Sequence, residues 1–537
     1  MPSPNEKLAA SLAILHDLQG TERHVFRSGD FGREHRERLK RNGFLRPIIK
    51  GWYMLGDPGV SPTDTTPWYA SFWEFCARYG AHRFGDQWHL APVESLLLHA
   101  ENTAVPKQVL VHAVRGTNNR IGLPFGTSLF DLKTARMPPA DDLCEKNGLR
   151  VFTPEAALVR APPAFFRDCP IEARTVLAGM EQTSGLLRRL LAGSNSVIAG
   201  RLAGAFRHIG REDTANEIAR VMRETEHRLR ETNPFVSGGD DGRKPVLAAP
   251  TAPAIAQRLR ALWEAAREPV LARFPNPPGL PADQDSQRRY LKHMQDVYVQ
   301  DAYHSLSIEG YRVTPELIER VRSGSWNPEA AESDRNDRNA LAARGYWQAF
   351  QAVQETTRRI LQGARPGVQF KSDHALWYLQ LFQPFVAVGV LEPASLAGYR
   401  NQAVFLRGSR HVPPRREIIP GAMTALCKLL EEEPEPAVRA AAGHWLFGYI
   451  HPYPDGNGRI ARFLMNAMLA SGGYPWTIIR VEQRQAYLAA LEAASVNQDM
   501  ERYADFMASV VQKEMDFVGL AAPHFTHEFR RRPIRDL

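Results

Sequence analysis

The chain has few cysteines and no long apolar run, and both absences limit what it can be. Four cysteines are dispersed over 537 residues, without the close spacing of a zinc site or the density of a disulfide framework. The sequence contains no run of about 18 apolar residues, and its N-terminus does not have the pattern of a signal peptide. We therefore expect a protein of the reducing cytoplasm that does not enter a membrane.

Charge of neither sign dominates the sequence. The 67 lysines and arginines and the 59 acidic residues leave a net charge of +8, and a hydrophobic content of 44% is typical of globular proteins. The length exceeds that of a single compact domain, and three domains are expected. The positive charge is uneven, since residues 23–50 hold nine basic residues against three acidic ones.

The most informative stretch runs from His451 to Arg462 and reads HPYPDGNGRIAR. Apolar spacing predicts a helix over residues 437–450. The proline that follows His451 disfavours helical backbone at the histidine, which should leave the helix and point into a loop. That loop, residues 454–458, contains two glycines that allow the backbone to approach a ligand closely. A second helix is predicted from about residue 458 to residue 471.

This stretch supplies the groups that a polyphosphate site needs. The second helix begins at the loop, where its amide groups favour an anion, and Arg459 and Arg462 can both reach that anion. Asp455 offers the hard oxygen ligand that Mg²⁺ prefers, which leaves His451 free to act as a general base. A glycine-rich turn between helices with a solvated basic face is the simpler alternative. We favour the site, because base, metal ligand and cations all stand where the chemistry requires them.

The stretch resembles the signature of Fic-domain proteins, His-Pro-Phe-x-Asp/Glu-Gly-Asn-Gly-Arg-x-x-Arg, and departs from it only at Tyr453, which replaces the phenylalanine. A tyrosine there keeps the ring that anchors the loop in the core. The resemblance implies transfer of AMP from ATP to a Tyr, Ser or Thr hydroxyl of a protein, with pyrophosphate leaving. Kinase-like toxins of the family carry lysine where this chain has Gly458, so the glycine favours nucleotidyl transfer over phosphorylation.

The resemblance also implies a role for each residue of the stretch. His451 would deprotonate the target hydroxyl, and Asp455 would hold Mg²⁺. Arg459 would support the loop and the phosphates, and Arg462 would engage the γ-phosphate of ATP. The cradle for the α- and β-phosphates would consist of Gly456, Asn457 and Gly458.

Two segments on either side of the signature resemble further parts of a Fic domain. Gly398-Tyr399-Arg400 and the following residues 404–414, VFLRGSRHVPP, predict a short strand, a glycine turn and an extended proline exit. They resemble the family's flap, a hairpin that pairs with the target segment and leans over the nucleotide, with Phe405 and Leu406 at the nucleotide. Taken alone, this segment fits any surface hairpin. After the signature, Tyr487 resembles the aromatic residue that borders the adenine pocket.

A segment before the signature resembles a regulatory element. Apolar spacing predicts an amphipathic helix over residues 286–308, which ends in the sequence SLSIEG from Ser305 to Gly310. A glutamate before a glycine is common at helix ends. Here, however, the six residues resemble the inhibitory motif Ser/Thr-x-x-x-Glu-Gly/Asn of autoinhibited Fic proteins. The resemblance implies that Glu309 pairs with Arg462 and removes the cation meant for the γ-phosphate.

The N-terminal half resembles AbiEi-type antitoxins. Helices are predicted over residues 8–18 and 31–42, followed by a strand-like wing over residues 43–53, as in a winged-helix head. Residues 60–232 resemble the antitoxin's next domain more loosely and show no catalytic constellation. A basic face on a protein-binding module is the alternative to a DNA-binding head. The candidate DNA contacts are Arg36, Lys40, Arg41 and Lys50.

These features predict a multidomain protein with a mainly α Fic catalytic domain and a β-hairpin flap, preceded by a winged-helix-like head and an α/β middle domain. The predicted segments are the head at 1–59, the middle domain at 60–232, a linker at 233–254, the Fic domain at 255–520 with its inhibitory helix at about 286–309, and a basic tail at 521–537.

The expected function is an autoinhibited protein adenylyltransferase that uses ATP and Mg²⁺ to modify a target protein or itself. The alternative is a DNA-binding regulator of the toxin–antitoxin type, in which the Fic domain is a sensor or a toxin. A homo-oligomer is compatible with both functions, and neither requires a membrane.

Overall fold

The computed structural model describes residues 3–20, 23–59, 61, 63–193, 195–235, 251–326 and 338–519. The predicted basic tail and residues 236–250 of the predicted linker lie outside this part of the chain. The chain divides into two units, Met1–Ala261 with Val404–Pro413, and Leu262–Ala403 with Pro414–Leu537. Across the described ranges, every strand belongs to the first unit, and no helix is long and apolar enough to cross a membrane.

The first unit begins with two helices and a three-stranded antiparallel sheet. The two predicted helices are present with shifted bounds, and the segment predicted to be strand-like forms two strands. A first strand that the pattern missed completes the sheet in the order β1-β3-β2, and the assignment as a winged helix stays a prediction. Apolar side chains from both helices and from the strands form one small core around Leu39. The elements are Pro4–Gln19, β1 (Val25–Arg27), Arg33–Arg41, β2 (Leu45–Ile49) and β3 (Trp52–Leu55).

A mixed sheet and a group of helices follow in the same unit. The sheet has the order β4-β5-β7-β6, in which β5 and β7 are parallel, and β8 and β9 form a separate hairpin. The strands are β4 (Trp88–Leu90), β5 (Gln108–Ala113), β6 (Asn119–Gly122), β7 (Ser128–Lys133), β8 (Leu143–Lys146) and β9 (Leu149–Phe152). The helices are Thr66–Phe84, Pro92–His99, Pro154–Arg160, Ala164–Asp168, Pro170–Ala178, Ser184–Ala192, Ser196–His208 and Glu212–Glu224.

Residues 404–413 pack with the first unit although they are distant from it in sequence. The backbone N–H of Val105 donates to the carbonyl of Arg410 at 2.8 Å. Arg407 forms an ion pair with Asp64 at 3.1 Å, and Val412 packs against the core of the unit.

The predicted turn of this segment is present, but its arms are not strands. The N–H of Ser409 donates to the carbonyl of Leu406 at 3.1 Å, and Gly408 takes the left-handed φ of 78° that the turn requires. The expectation of a strand was wrong, because Pro413 and Pro414 cannot donate to a ladder and Val105 binds the carbonyl of Arg410.

The regular secondary structure of the second unit's described residues is all helical. Three of its helices recur below and are named by the roles that the sequence predicts for them: the inhibitory helix (Tyr298–Ile308), the base helix (Pro436–Ile450) and the signature helix (Asn457–Ala470). The base and signature helices are buried almost all round, as their apolar sequences require. The other helices are Ala254–Arg273, which begins in the first unit, Gln284–Asp296, Pro315–Arg322, Arg338–Leu361, Pro366–Ala387, Ile419–Glu432, Arg484–Asn497 and Met500–Phe517.

The helix predicted over 286–308 is two helices, Gln284–Asp296 and the inhibitory helix, separated at Val297. Val297 keeps near-helical dihedral angles, φ −91° and ψ −3°, and its N–H still bonds to the carbonyl of His293. A break of one such residue leaves the apolar period unchanged. The sequence pattern therefore cannot reveal it.

Candidate active site

His451 lies where the base helix ends, as the sequence predicts. It takes the left-handed conformation, φ 51° and ψ 59°, which is rare for a residue other than glycine. Its Nδ1 lies 3.2 Å from the carbonyl of Gly448, which indicates that Nδ1 carries the proton and that Nε2 can accept one. Burial lowers the pKa of His451 to about 4, so the imidazole is neutral at pH 7.

The loop between the two helices is closed by Asn457. Its side chain accepts from the N–H of Tyr453 at 2.9 Å and donates to the Tyr453 carbonyl at 2.7 Å. The ring of Tyr453 stacks on Tyr378, with 3.9 Å between ring centroids. The Asn457 side chain thus shapes the loop, and the first amides of the signature helix, which have no partner within the helix, could bind an anion.

Arg459 is a fully buried cation beside this loop. Within the described part of the chain, its three side-chain nitrogens have no hydrogen-bond partner, although Nη2 lies 3.4 Å from Asp455 Oδ1. The guanidinium lies between the rings of Tyr311 and Phe382, at 5.3 and 5.1 Å from their centroids. A buried donor without an acceptor is costly, and a phosphate oxygen would satisfy it.

Asp455 is the one candidate Mg²⁺ ligand that the sequence singles out. Its side chain is about half exposed. The described residues contain no group of three or more His, Cys, Asp or Glu side chains that would hold a metal ion by itself. Mg²⁺ commonly uses one or two carboxylates and completes its shell with water and phosphate oxygens. The residues present therefore fit a Mg²⁺ ion that arrives with a nucleotide.

Arg462 is held by the end of the inhibitory helix. Its Nη2 donates to Glu309 Oε1 at 2.7 Å and to the carbonyl of Ser305 at 3.0 Å, and its Nε donates to Ser305 Oγ at 2.9 Å. Gly310, with φ 89°, lets the chain turn away directly after Glu309. Three donors of one arginine are thus bound by two residues of the motif Ser305–Gly310.

The Glu309 carboxylate also lies over Gly458 in the first turn of the signature helix. A methyl group at Gly458 would overlap that carboxylate. The glutamate therefore occupies space at the helix start where the sequence predicts bound phosphates.

Sequence analysis missed two contacts of the inhibitory segment. Arg484 donates from Nε to the carbonyl of Ile308 at 2.8 Å, and Tyr311 covers Arg459 as described above. Position offered a signal for Tyr311, because it directly follows the motif. No local pattern in the sequence distinguishes Arg484 from other surface arginines.

Tyr487, expected at the adenine pocket, is buried in a hydrogen-bond network. Its hydroxyl lies 2.8 Å from His444 Nε2, and His444 Nδ1 lies 2.9 Å from the hydroxyl of Tyr503. The Tyr503 hydroxyl donates to the Ala441 carbonyl at 2.8 Å. The Tyr503 oxygen must then accept from Nδ1–H, which leaves Nε2 to accept from Tyr487. Burial lowers the pKa of His444 to about 3, in agreement with a neutral ring.

Phe405 and Leu406, expected at the nucleotide, are half-buried residues of the segment that packs with the first unit. Their contact with a nucleotide remains a prediction.

The basic residues expected to contact DNA differ in their surroundings. Arg36 donates to the carbonyl of Ser28 at 3.0 Å, and Lys40 pairs with Glu37 at 3.1 Å. Arg41 and Lys50 have exposed side chains. The last two are therefore the better candidates for contact with a phosphate backbone.

Comparison with known proteins finds a family match that includes the site. Residues 373–469 match the Fic/DOC family. The chain is 38% identical over 133 residues to the protein adenylyltransferase Fic of Nematostella vectensis, which covers 24% of this chain and 30% of that protein. It is 26% identical over 249 residues to the protein of the same name from Drosophila erecta, which covers 44% of this chain and 45% of the relative. The chain thus spans less than half the length of these curated relatives.

Solved structures are also similar over long stretches, at low scores. Fic-1 from Caenorhabditis elegans, residues 134–508, has a TM-score of 0.35 and 16% identity, with 65% of this chain and 97% of that chain covered. A Fic domain containing signaling protein from Bacteroides thetaiotaomicron has a TM-score of 0.32 and 18% identity, with coverage of 49% and 95%. TM-scores this low do not establish a shared fold. The matched range, residues 373–469, includes the histidine, the loop and the two arginines described above, and this part of the chain is therefore similar to a Fic domain.

Proposed function

We propose that this chain is a protein adenylyltransferase that its own inhibitory helix holds inactive. The observation that carries the proposal is the arrangement at Arg462, where Ser305 and Glu309 bind a cation of the Fic signature and the Glu309 carboxylate covers Gly458. The names of the curated relatives support transfer of AMP as the reaction.

In the proposed reaction, Nε2 of neutral His451 accepts the proton of the target hydroxyl. The hydroxyl oxygen then attacks the α-phosphorus of ATP, a new P–O bond forms to the target, and the bond to the β-phosphate's bridging oxygen breaks. Pyrophosphate leaves with the electron pair of that bond. Mg²⁺ bound at Asp455 would neutralise charge on the phosphates. Arg459 and the amides of the signature helix hold the phosphates in place.

Inhibition follows from competition for one cation. Arg462 is the residue expected to bind the γ-phosphate, and Glu309 is a carboxylate already bound to it. ATP that enters while this pair is intact lacks the γ-phosphate contact and is not aligned for in-line attack. Activity therefore requires that the end of the inhibitory helix release Arg462.

Labelled ATP tests the reaction type directly. We expect the full chain carrying Glu309→Gly to incorporate label into protein from ATP labelled at the α-phosphate and not from ATP labelled at the γ-phosphate. Addition of His451→Ala should abolish the incorporation. Label from the γ-phosphate would instead identify a kinase, and no label from either source in a cell lysate would refute the proposed function.

Duplex DNA binding by the N-terminal head is a second candidate, supported by the exposed side chains of Arg41 and Lys50 in a strongly basic segment. Binding should weaken as salt rises, and Arg41→Ala with Lys50→Ala should weaken it further. The matched control is Arg120→Ala with Arg188→Ala, two exposed arginines outside the head. Equal affinity in both double variants would exclude this surface as the DNA contact.

A further inference from the structure

Arg400 is a buried cation whose side chain donates to three carbonyl oxygens of the described chain. It is 4% exposed. Its Nε donates to the carbonyl of His451 at 2.7 Å, Nη1 to Gln402 at 2.9 Å and Nη2 to Pro414 at 2.5 Å. Its backbone N–H donates to the carbonyl of Pro452 at 2.9 Å. Arg400 therefore binds the carbonyls of two successive residues, His451 and Pro452.

The backbone at His451 needs such support. A left-handed conformation is unfavourable for a residue with a Cβ and persists only where its surroundings fix it. The bonds from Arg400 to the carbonyls of His451 and Pro452 fix the orientation of two successive peptide groups. The first of these peptide groups leaves His451, so its orientation sets the ψ angle of His451 and with it the direction of the imidazole.

The side chain at position 400 has to be arginine for these contacts. Three carbonyls that approach from different directions match the fixed fork of a guanidinium. A lysine carries the same charge but presents a single nitrogen, which cannot reach all three oxygens. The carbonyls of Gln402 and Pro414 flank the segment 404–413, so the same fork also joins the two ends of that segment.

We infer that Arg400 is the positioning residue for the catalytic base, holding His451 in the left-handed conformation that directs its imidazole into the site. The inference rests on the proposed adenylyl transfer. Arg400 does not contact the reacting atoms, and its effect passes through the backbone of His451.

The positive charge of Arg400 has a second effect on the base. Burial is the main cause of the low pKa of His451, and the Arg400 cation lowers that pKa further. The Gly448 carbonyl and the carboxylates of Glu309 and Asp455 act in the opposite direction. Loss of the Arg400 charge should therefore raise the pKa of His451 and move the acid limb of the pH–rate profile to higher pH.

Two substitutions separate the geometric effect from the charge effect, each made in the full chain with Glu309→Gly. Arg400→Lys keeps the charge and should lower kcat about tenfold to hundredfold, with KM for ATP unchanged within about twofold and the acid limb in place. Arg400→Gln should lower kcat similarly and also move the acid limb upward. The control is Arg416→Lys, an exposed arginine that donates to the nearby carbonyl of Asn401 at 3.0 Å and should leave both readings unchanged.

Two results would overturn the inference. A kcat for Arg400→Lys equal to that of Arg416→Lys means that Arg400 does not position the base. A lower melting temperature with unchanged kcat and pH profile means that Arg400 only stabilises the fold. If Arg400→Gln does not fold, Arg400→Lys decides alone. Failure of the proposed function would appear as an inactive Glu309→Gly parent. Failure of the inference alone would appear as an active parent whose kcat the substitutions at Arg400 do not change.

Discussion

His451 has a left-handed backbone, which is rare for a residue other than glycine, and a ring that burial keeps neutral. Pro452 disfavours helical backbone at His451, the bonds from Arg400 support the left-handed conformation that it takes instead, and burial keeps the ring neutral. A neutral imidazole with Nδ1 bound to a carbonyl presents Nε2 as its acceptor. His451 therefore has the tautomer and the charge state that a general base needs at physiological pH.

The low pKa of His451 predicts the pH dependence of transfer. The accepting form is present above the pKa of about 4 and is lost as the pH falls through it. In the Glu309→Gly chain, kcat should stay level from about pH 8 to about pH 5 and decline below that. An acid limb near the ordinary histidine value would contradict the burial of the ring.

His451→Ala should lower kcat by about 10² to 10⁴ and leave ATP affinity nearly unchanged.

If Asp455 holds Mg²⁺, both AMP transfer and ATP binding should depend on the ion, and the binding can be measured without turnover. Asp455→Ala should abolish transfer and weaken Mg²⁺-dependent ATP binding, because the ion neutralises the phosphate charge. Asp455→Asn, which keeps the shape and one oxygen but not the charge, should be intermediate. Calorimetric titration of ATP with and without Mg²⁺ provides the comparison. Transfer that persists with excess chelator would contradict this role for Asp455.

At the scale of elements, the end of the inhibitory helix is held to the candidate active site by hydrogen bonds from two arginines. Arg462 binds Ser305 and Glu309, and Arg484 binds the carbonyl of Ile308. The ion pair between Arg462 and Glu309 is worth about 1.5 to 3 kcal/mol, and the bonds from the arginines to the neutral oxygens of Ser305 and Ile308 about 1 kcal/mol each. Because several bonds hold the helix end, we expect the loss of a single bond to release Arg462 only partly.

A graded release is the prediction for Ser305. Ser305→Ala removes the bond from Oγ to Arg462 Nε and keeps the bond from the Ser305 carbonyl. AMP transfer should rise several-fold, less than for Glu309→Gly, because about 1 kcal/mol is lost in place of the full ion pair. Ser307→Ala, on the same helix, is the control. Equal activity of Ser305→Ala and Ser307→Ala would contradict the proposed contribution of the serine.

The sequence was most informative about elements whose signals are local. The base and signature helices begin and end within one or two residues of their predicted bounds, because proline and glycine mark those ends. The break at Val297 keeps the apolar period and leaves no local signal. Contacts between distant residues, such as Arg400 with His451 or Tyr311 with Arg459, depend on the packing of several helices and have no pattern in the sequence.

At the scale of the whole molecule, the chain contains two units, and a segment from late in the sequence belongs to the first. That segment, residues 404–413, is held by a backbone bond between Val105 and Arg410 and by the burial of its second arm. The resemblance to a flap implied an exposed edge for the target. Here one carbonyl of that edge is already bound to Val105.

The attachment of this segment predicts its sensitivity to protease. Val105→Pro removes the N–H that binds the Arg410 carbonyl, so trypsin should cleave after Arg407 or Arg410 several-fold faster. Asp64→Asn should change the rate little, since Arg407 is 79% exposed and surface ion pairs contribute little. Mass spectrometry of the first fragments provides the measurement. Equal cleavage of Val105→Pro and the parent chain would contradict the role given to this bond.

The central claim is that Glu309 inhibits the enzyme by occupying Arg462, and one comparison tests it most directly. Initial rates of AMP incorporation should be measured for the full parent chain, Glu309→Gly, and Glu309→Gly with Arg462→Ala. The first substitution should raise the rate about tenfold to hundredfold, since a charge-assisted pair of about 1.5 to 3 kcal/mol is removed. The double variant should be inactive, because release helps only if the arginine is present. A Glu309→Gly rate equal to that of the parent, or a double variant as active as Glu309→Gly, would contradict the account.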